Sequence, residues 1–209
     1  MNPKPDYVVI GIDPGKTGAL CVVDSLGRLV EVMDLAEAKS KHWRKYSHVT
    51  MRDKEGPYLL RQETRAVYIE EPIKGYSGGN SRVGFAGVNN SAGYWRGVFE
   101  SHGVRVERPY PNTWQTVARG MPGKIAKERV AWLIKQTFPD QWEQFLTVGK
   151  KGKGKVKINF GRTDAAGIAL HGVGRERLKE LTDIAEYIGE KEPRLKGGIT
   201  VHINKRSRR

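Results

Sequence analysis

The chain begins with three short apolar runs in close succession: "YVVIGID" (7–13), "ALCVVD" (19–24) and "LVEVMDL" (29–35). Each is too short for an ordinary helix and rich in β-branched residues, so each reads as a strand. The link "SLGR" between the second and third is short enough for a hairpin, and three strands so closely spaced describe an antiparallel meander. The pattern then changes. A fourth strand, "AVYIEE" (66–71), is stopped by Pro72, and Phe85, Val88, Ala92, Trp95 and Phe99 recur at spacings of three and four, which predicts a helix with one apolar face. Gly93 and Gly97 on that helix predict a close backbone approach, most simply to the sheet.

A fifth short strand lies in "GVRVERPYP" (103–111), and "NTWQTVARG" starts on Asn112, a good helix cap. Another helix runs through "KIAKERVAWLIKQTF", with Ile125, Val130, Leu133, Ile134 and Phe138 on its apolar side and Lys124, Lys127 and Glu128 on another. The last helical region starts near "RTDAAGIALHGV", and "RERLKELTDIAEYIGE" continues or repeats it. Strands in a meander followed by strands alternating with helices predict an α/β fold: a mixed five-stranded sheet covered on both faces. This is the strand order of the ribonuclease H-like fold.

The 209 residues suffice for one well-buried core. Residues 1–180 are expected to form it, with a helical extension and basic tail over 181–209. Residues 36–65 read as a polar excursion ending in a short helix, and "GKKGKGKVK" (149–157), with five lysines among glycines, as a mobile basic loop. A formal charge of +14 favours a polyanionic partner. No apolar stretch has the length of a bilayer span, and "MNPKPDY" lacks a signal-peptide core, so a cytoplasmic protein without a membrane partner is expected. The single cysteine, Cys21, lies in a strand and reads as a buried, inert thiol.

Three acids fall at places that such a sheet can bring to one edge: Asp13 ends the first strand, Glu70 lies near the end of the fourth, and Asp164 opens the last helix. Carboxylates gathered without cations repel and raise one another's pKa, so the set implies hard divalent ions, Mg2+ or Mn2+. Two such ions can activate water and stabilise both oxygens of an in-line phosphoryl displacement. With so basic a chain, that chemistry points to cutting nucleic acid. Glu70 and Glu71 face opposite sides of the strand, and the pattern alone does not choose between them.

"GIDPGKTGAL", "VYIEEP", "GKIAKERV" and "GRTDAAGIAL", in this order and spacing, resemble the RuvC-type Holliday-junction resolvases. The stretch from "YSGGNSRVG" to "PYPNTWQ" is similar to the chloroplast resolvases and their phage and bacterial relatives. The resemblance, over about 7–173, implies a homodimeric, Mg2+-dependent endonuclease that nicks four-way junction DNA in pairs, with two ions held by Asp13, Glu70 and Asp164. It matches Lys127 to a basic residue at the scissile phosphate and places Tyr76, in the loop after Glu70, at the junction centre. Lys16, Lys74, Lys124, Arg162 and the lysines from 150 to 157, Lys151 and Lys153 among them, are candidate backbone-phosphate contacts. Trp114 reads as core.

One position departs from the pattern. Gly161 stands where these proteins usually carry a fourth Asp or His ligand, leaving Asn159 and His171 as possible substitutes. Asp13-x-Gly15-x-Thr17 also resembles the first phosphate motif of the actin, Hsp70 and sugar-kinase superfamily, but the chain has one such lobe where those proteins need two. A ribonuclease H-like nuclease for another substrate and a non-catalytic junction-binding protein are the remaining alternatives.

Overall fold

The computed structural model describes residues 5–38, 64–73, 82–147 and 156–191. Most of the excursion, the lysines at 151 and 153, Lys74, Tyr76 and the C-terminal tail lie outside the described residues. Strands β1 (Val8–Asp13), β2 (Ala19–Asp24) and β3 (Leu29–Asp34) form the predicted antiparallel meander, and β4 (Thr64–Ile69) and β5 (Val106–Glu107) join parallel to β1 and to β4. The sheet order is β3-β2-β1-β4-β5, the mixed sheet that the strand pattern predicts. The β2–β3 hairpin is held by Asp24, whose carboxylate accepts from the Leu26 and Arg28 amides and from the Arg28 guanidinium. Strand β4 starts earlier than expected, so Arg65 belongs to it and not to a preceding helix.

Helix α1 (Arg82–Glu100) covers one face of the sheet and helix α4 (Phe160–Lys191) the other. Val8, Ile10, Ile12, Val67 and Ile69 pack with Ala92, Trp95 and Phe99 of α1. Val9, Cys21, Ala66 and Tyr68 pack with Ala165, Ile168 and Ala169 of α4. Burial on both faces explains why the central strands read as continuous apolar runs. Helices α2 (Pro111–Trp114) and α3 (Ala126–Thr137), with 3-10 turns at Gln115–Ala118 and Pro139–Phe145, close over α4. No helix among the described residues is long and apolar enough to cross a membrane.

Several local expectations are corrected. Among the described residues Gly93 and Gly97 receive no close neighbour, since a β-carbon on either would meet nothing within 4 Å; the helix touches the sheet through Ala92, Trp95 and Phe99 instead. Helix α2 starts at Pro111, whose fixed φ suits the first helical position, with Tyr110 rather than Asn112 before it. Ile125 is extended and 55% exposed because it precedes the first turn of α3 and so does not share its apolar face. At the end of the basic segment, Lys157–Ile158 forms strand β7, paired antiparallel with β6 (Leu146–Thr147). The final helical region is one helix, unbroken from Phe160 to Lys191.

The distal part of α4 is fastened by a buried acid. Glu176 is 1% exposed, accepts a hydrogen bond from the Tyr68 hydroxyl at 2.6 Å, and pairs with Arg105 at 2.6 Å and Lys179 at 3.3 Å. Burial alone would push its pKa up, but these partners hold it below the ordinary value of 4.5. Its contribution to stability is therefore present at neutral pH and lost as the pH falls through that depressed value. Glu176→Gln is expected to lower the unfolding free energy by about 1.5–3 kcal/mol at pH 7, and denaturant titrations should show the gap from wild type narrowing below pH 4.5.

Candidate active site

Parallel pairing matches Ile12 to Ile69, so Asp13 and Glu70 follow side by side at the ends of β1 and β4. The Glu70 amide donates to the Ile12 carbonyl at 3.0 Å, carrying the ladder one step past the strand. Alternation along each strand places Asp13 with Gly11, and Glu70 with Tyr68, on the face that α4 covers. A β-carbon at Gly11 would collide with the Ala165 carbonyl and the Ala169 amide. The bare strand thus lets α4 lie directly on β1, and Asp164, at the start of this contact, comes down beside the two strand-end acids.

Each acid is held differently. Asp13 accepts the Gly15 amide through Oδ1 at 2.9 Å, so it is both a turn residue and a member of the cluster. Glu70 accepts the indole N–H of Trp114 through Oε2 at 2.7 Å. Asp164 is buried, and its Oδ1 has no hydrogen-bond partner among the described residues. The Lys127 ammonium, more than half exposed, lies 3.9 Å from Asp164 Oδ2. The strand's pleat settles the choice that the sequence left open: Glu71 points away and pairs with Arg108.

Burial raises all three pKa values. Burial is the largest cause for Asp13, opposed by the Gly15 amide and Lys127. Glu70 is pushed up to about 7 by burial and by the Asp13 charge, against the Trp114 hydrogen bond and Lys127. Asp164 is pushed up to about 8 by burial and by Asp13, with Lys127 opposing and Glu70 adding. The three acids thus feel one another, and Lys127 is their common counter-charge. Among the described residues no group of three or more His, Cys, Asp or Glu side chains is drawn together on a single metal point. The donor set still suits a hard divalent cation: all-oxygen ligands, net negative charge and a buried carboxylate oxygen without a partner.

The remaining candidates fall in different places. Lys16 is exposed in the turn after Asp13, and Lys124 is exposed before α3, its amide held by Glu128 at 2.7 Å. Arg162 is committed elsewhere, donating to both oxygens of Asp34 and to the Gln144 carbonyl. Asn159 donates to Asp34 and accepts the Arg162 amide, anchoring the start of α4 to β3. His171 lies edge-on to Tyr68, further along α4. Neither Asn159 nor His171 joins the acids. At Gly161 a β-carbon would collide with the Thr17 carbonyl, so the backbone of the Asp13 turn occupies the space of a fourth ligand. Trp114 is the functional neighbour that sequence reasoning missed. It is fully buried, as predicted, yet its one polar atom meets Glu70; the only available signal was a donor that a buried indole must satisfy.

This fold matches solved structures. Thermus thermophilus RuvC in complex with a Holliday-junction substrate aligns with a TM-score of 0.52 at 21% identity, covering 82% of this chain and 96% of that one. The fold is RuvC-like. A second structure, Thermus thermophilus RuvC, aligns with a TM-score of 0.46 at 22% identity over 83% and 97% of the two chains. No protein-family model matches the sequence, and no curated protein matches it. The RuvC-like assignment therefore stands on the sheet order and helix placement.

Two outcomes follow from this geometry. With Glu70 near 7 and Asp164 near 8 in the fold, against ordinary values of 4.5 and 3.8, the native state binds protons that the unfolded chain has released. Stability in chelator must then fall as the pH rises through this window. Asp13→Asn, which removes one repelling charge and keeps an acceptor for Gly15, is expected to raise Tm by a few degrees at pH 8 in EDTA. Differential scanning calorimetry should find a smaller gain at pH 5. Gly161→Ala, by contrast, is expected to destabilise by about 1–3 kcal/mol or more, measured by chemical denaturation, because the colliding atom is backbone.

Proposed function

We propose that the chain is a metal-dependent endonuclease that resolves four-way DNA junctions by paired nicks, acting as a homodimer so that two acid clusters face two strands. The observation that carries this reading is the convergence of Asp13, Glu70 and Asp164, with Lys127 beside them, at one edge of a RuvC-like sheet. Asp13, Glu70 and Asp164 would hold the ions, Mg2+ or in its place Mn2+, two per site in keeping with the two-ion chemistry of phosphoryl transfer. When bound, the ions lower the pKa of an attacking water and stabilise the leaving oxygen.

The chain's own residues orient and neutralise. The Gly15 amide and the Trp114 indole each fix one carboxylate oxygen, of Asp13 and of Glu70 respectively, and the second oxygen of each would serve the ions. Lys127, on an exposed stem, would meet a non-bridging oxygen of the scissile phosphate and offset its developing charge. Lys16, exposed in the turn after Asp13, and Lys124, three residues before Lys127, would contact the flanking backbone, contributing affinity without sequence choice. Tyr76, Lys74, Lys151 and Lys153 belong to the same proposal as junction contacts, although they lie outside the described residues.

The deciding experiment compares a four-way junction, the plain duplex of the same sequence and an RNA–DNA hybrid as substrates in Mg2+. Wild type is expected to nick the junction symmetrically and to leave the duplex and hybrid largely intact. Asp164→Asn should lose at least about 100-fold in nicking rate while retaining junction affinity in EDTA. Preferential cutting of the hybrid or the duplex would overturn the resolvase reading.

A further inference from the structure

On the face of the sheet that carries the acids, a cleft of about 260 Å³ opens between α4 and the segment joining β5 to α2. It is lined by Arg108, Thr113, His171 and Arg175, with Glu107 and Lys179 at its edge and Tyr68 in its wall. The positive charges here are unequally committed. Lys179 lies 3.3 Å from Glu176 and 3.6 Å from Glu107, and the Arg108 Nε pairs with Glu71. Glu107 is further engaged by Arg105. Arg175 has no hydrogen-bond or ion-pair partner among the described residues, nor has either ring nitrogen of His171. The imidazole is fixed by its edge-on contact with Tyr68, 6.0 Å between ring centroids. The Arg175 guanidinium, the His171 imidazole and the Thr113 hydroxyl, which otherwise donates only a long 3.5 Å contact to Asn112, thus line one concavity whose only lining carboxylate, Glu107, is already paired. This is the chemistry of a site for a phosphate group.

Its place on α4 relates it to the acids. Asp164, His171 and Arg175 are separated by seven and four residues and so share one stripe of the helix. At a rise of about 1.5 Å per residue, the cleft lies about 10–16 Å from Asp164 along the helix axis.

We propose that the Arg175–His171 cleft seats a backbone phosphate of the bound DNA arm, about 10–16 Å along α4 from the acid cluster. This rests on the reading of the chain as a DNA-acting enzyme. Arg175 supplies the charge and a forked pair of donors, His171 one ring N–H, and Thr113 its hydroxyl. Burial and the neighbouring Arg175 hold the His171 imidazole below its ordinary 6.5, in keeping with uncompensated positive charge that an anion would relieve. The contact would position an arm and strengthen binding without reading its sequence.

The test measures binding in EDTA by the full chain and by Arg175→Ala, Arg175→Lys and Arg175→Glu, on a four-way junction and on a duplex, over a series of salt concentrations. Arg175→Ala is expected to keep the wild-type Tm, to weaken junction binding several-fold, and to reduce the slope of log affinity against log salt by about one. Arg175→Lys should restore most of the slope, and Arg175→Glu should weaken binding further. Wild-type affinity and slope in both Arg175→Ala and Arg175→Glu would overturn the proposal. Calorimetry with inorganic phosphate separates the sources: Arg175-dependent phosphate binding with unaltered DNA affinity would assign the cleft to a free anion and overturn it equally. Arg175-dependent DNA binding by a chain that cuts no junction would sink the nuclease reading and leave the cleft standing. Junction cutting with Arg175-independent binding would do the reverse.

Discussion

Helix α4 lies on strand β1 with no side chain between them at Gly11, and the arrangement of the candidate site depends on that contact. A methyl group at this position would meet the backbone of Ala165 and Ala169, so even alanine would force helix and strand apart. The helix answers the bare strand with small residues of its own, Ala165, Ala166 and Ala169, all fully buried. Close packing of this kind has a geometric result beyond its dispersion energy. It brings the first turn of α4 down to the level where β1 ends, and Asp164 arrives beside Asp13 and Glu70 as a consequence of backbone proximity.

The acids themselves oppose folding. With Glu70 near 7 and Asp164 near 8, and each tenfold change in proton affinity equivalent to about 1.4 kcal/mol, their ionisation at pH 8 works against the native state by an amount of the order of several kcal/mol. The surrounding structure must outweigh it. Trp114 does so with a large buried ring and one charge-assisted hydrogen bond, linking the acid edge to the core under α2 and α3. Lys127 opposes the repulsion from the exposed side. The site is thus backed by a buried aromatic support beneath and an exposed cation above.

How much of this the sequence discloses depends on whether a feature is local. The meander, the parallel strands and the fall of acids at the ends of β1 and β4 were legible because strand periodicity and strand ends are read from neighbouring residues. Which of Glu70 and Glu71 faces the acids was not, since it requires knowing which face α4 covers. The roles of Arg162 and Asn159 were hidden for the same reason: their partner, Asp34, is more than a hundred residues away. Gly93 and Gly97 misled because a glycine in a helix signals close approach only when something approaches, and here the neighbouring Trp95 and Phe99 carry the contact. Gly161, which read as a missing ligand, is a packing requirement of the Asp13 turn.

Helix α4 also fixes the distances along this face. Its register on the sheet is set at two places, by Gly11 against Ala165 and Ala169, and by Gly172 against Val9 and Tyr68. Both contacts exclude a side chain, so a slip of one residue, which would turn the helix by about 100°, would replace each glycine fit with a collision or a void. Between and beyond these fixed points the helix carries Asp164, His171, Arg175 and Glu176. The buried Glu176 then ties the helix to β4 through Tyr68 and to the β5 edge through Arg105. A long helix anchored in this way cannot shift its acid without shifting its basic stripe, so the spacing between Asp164 and Arg175 is a property of the core and not of the surface residues that display it.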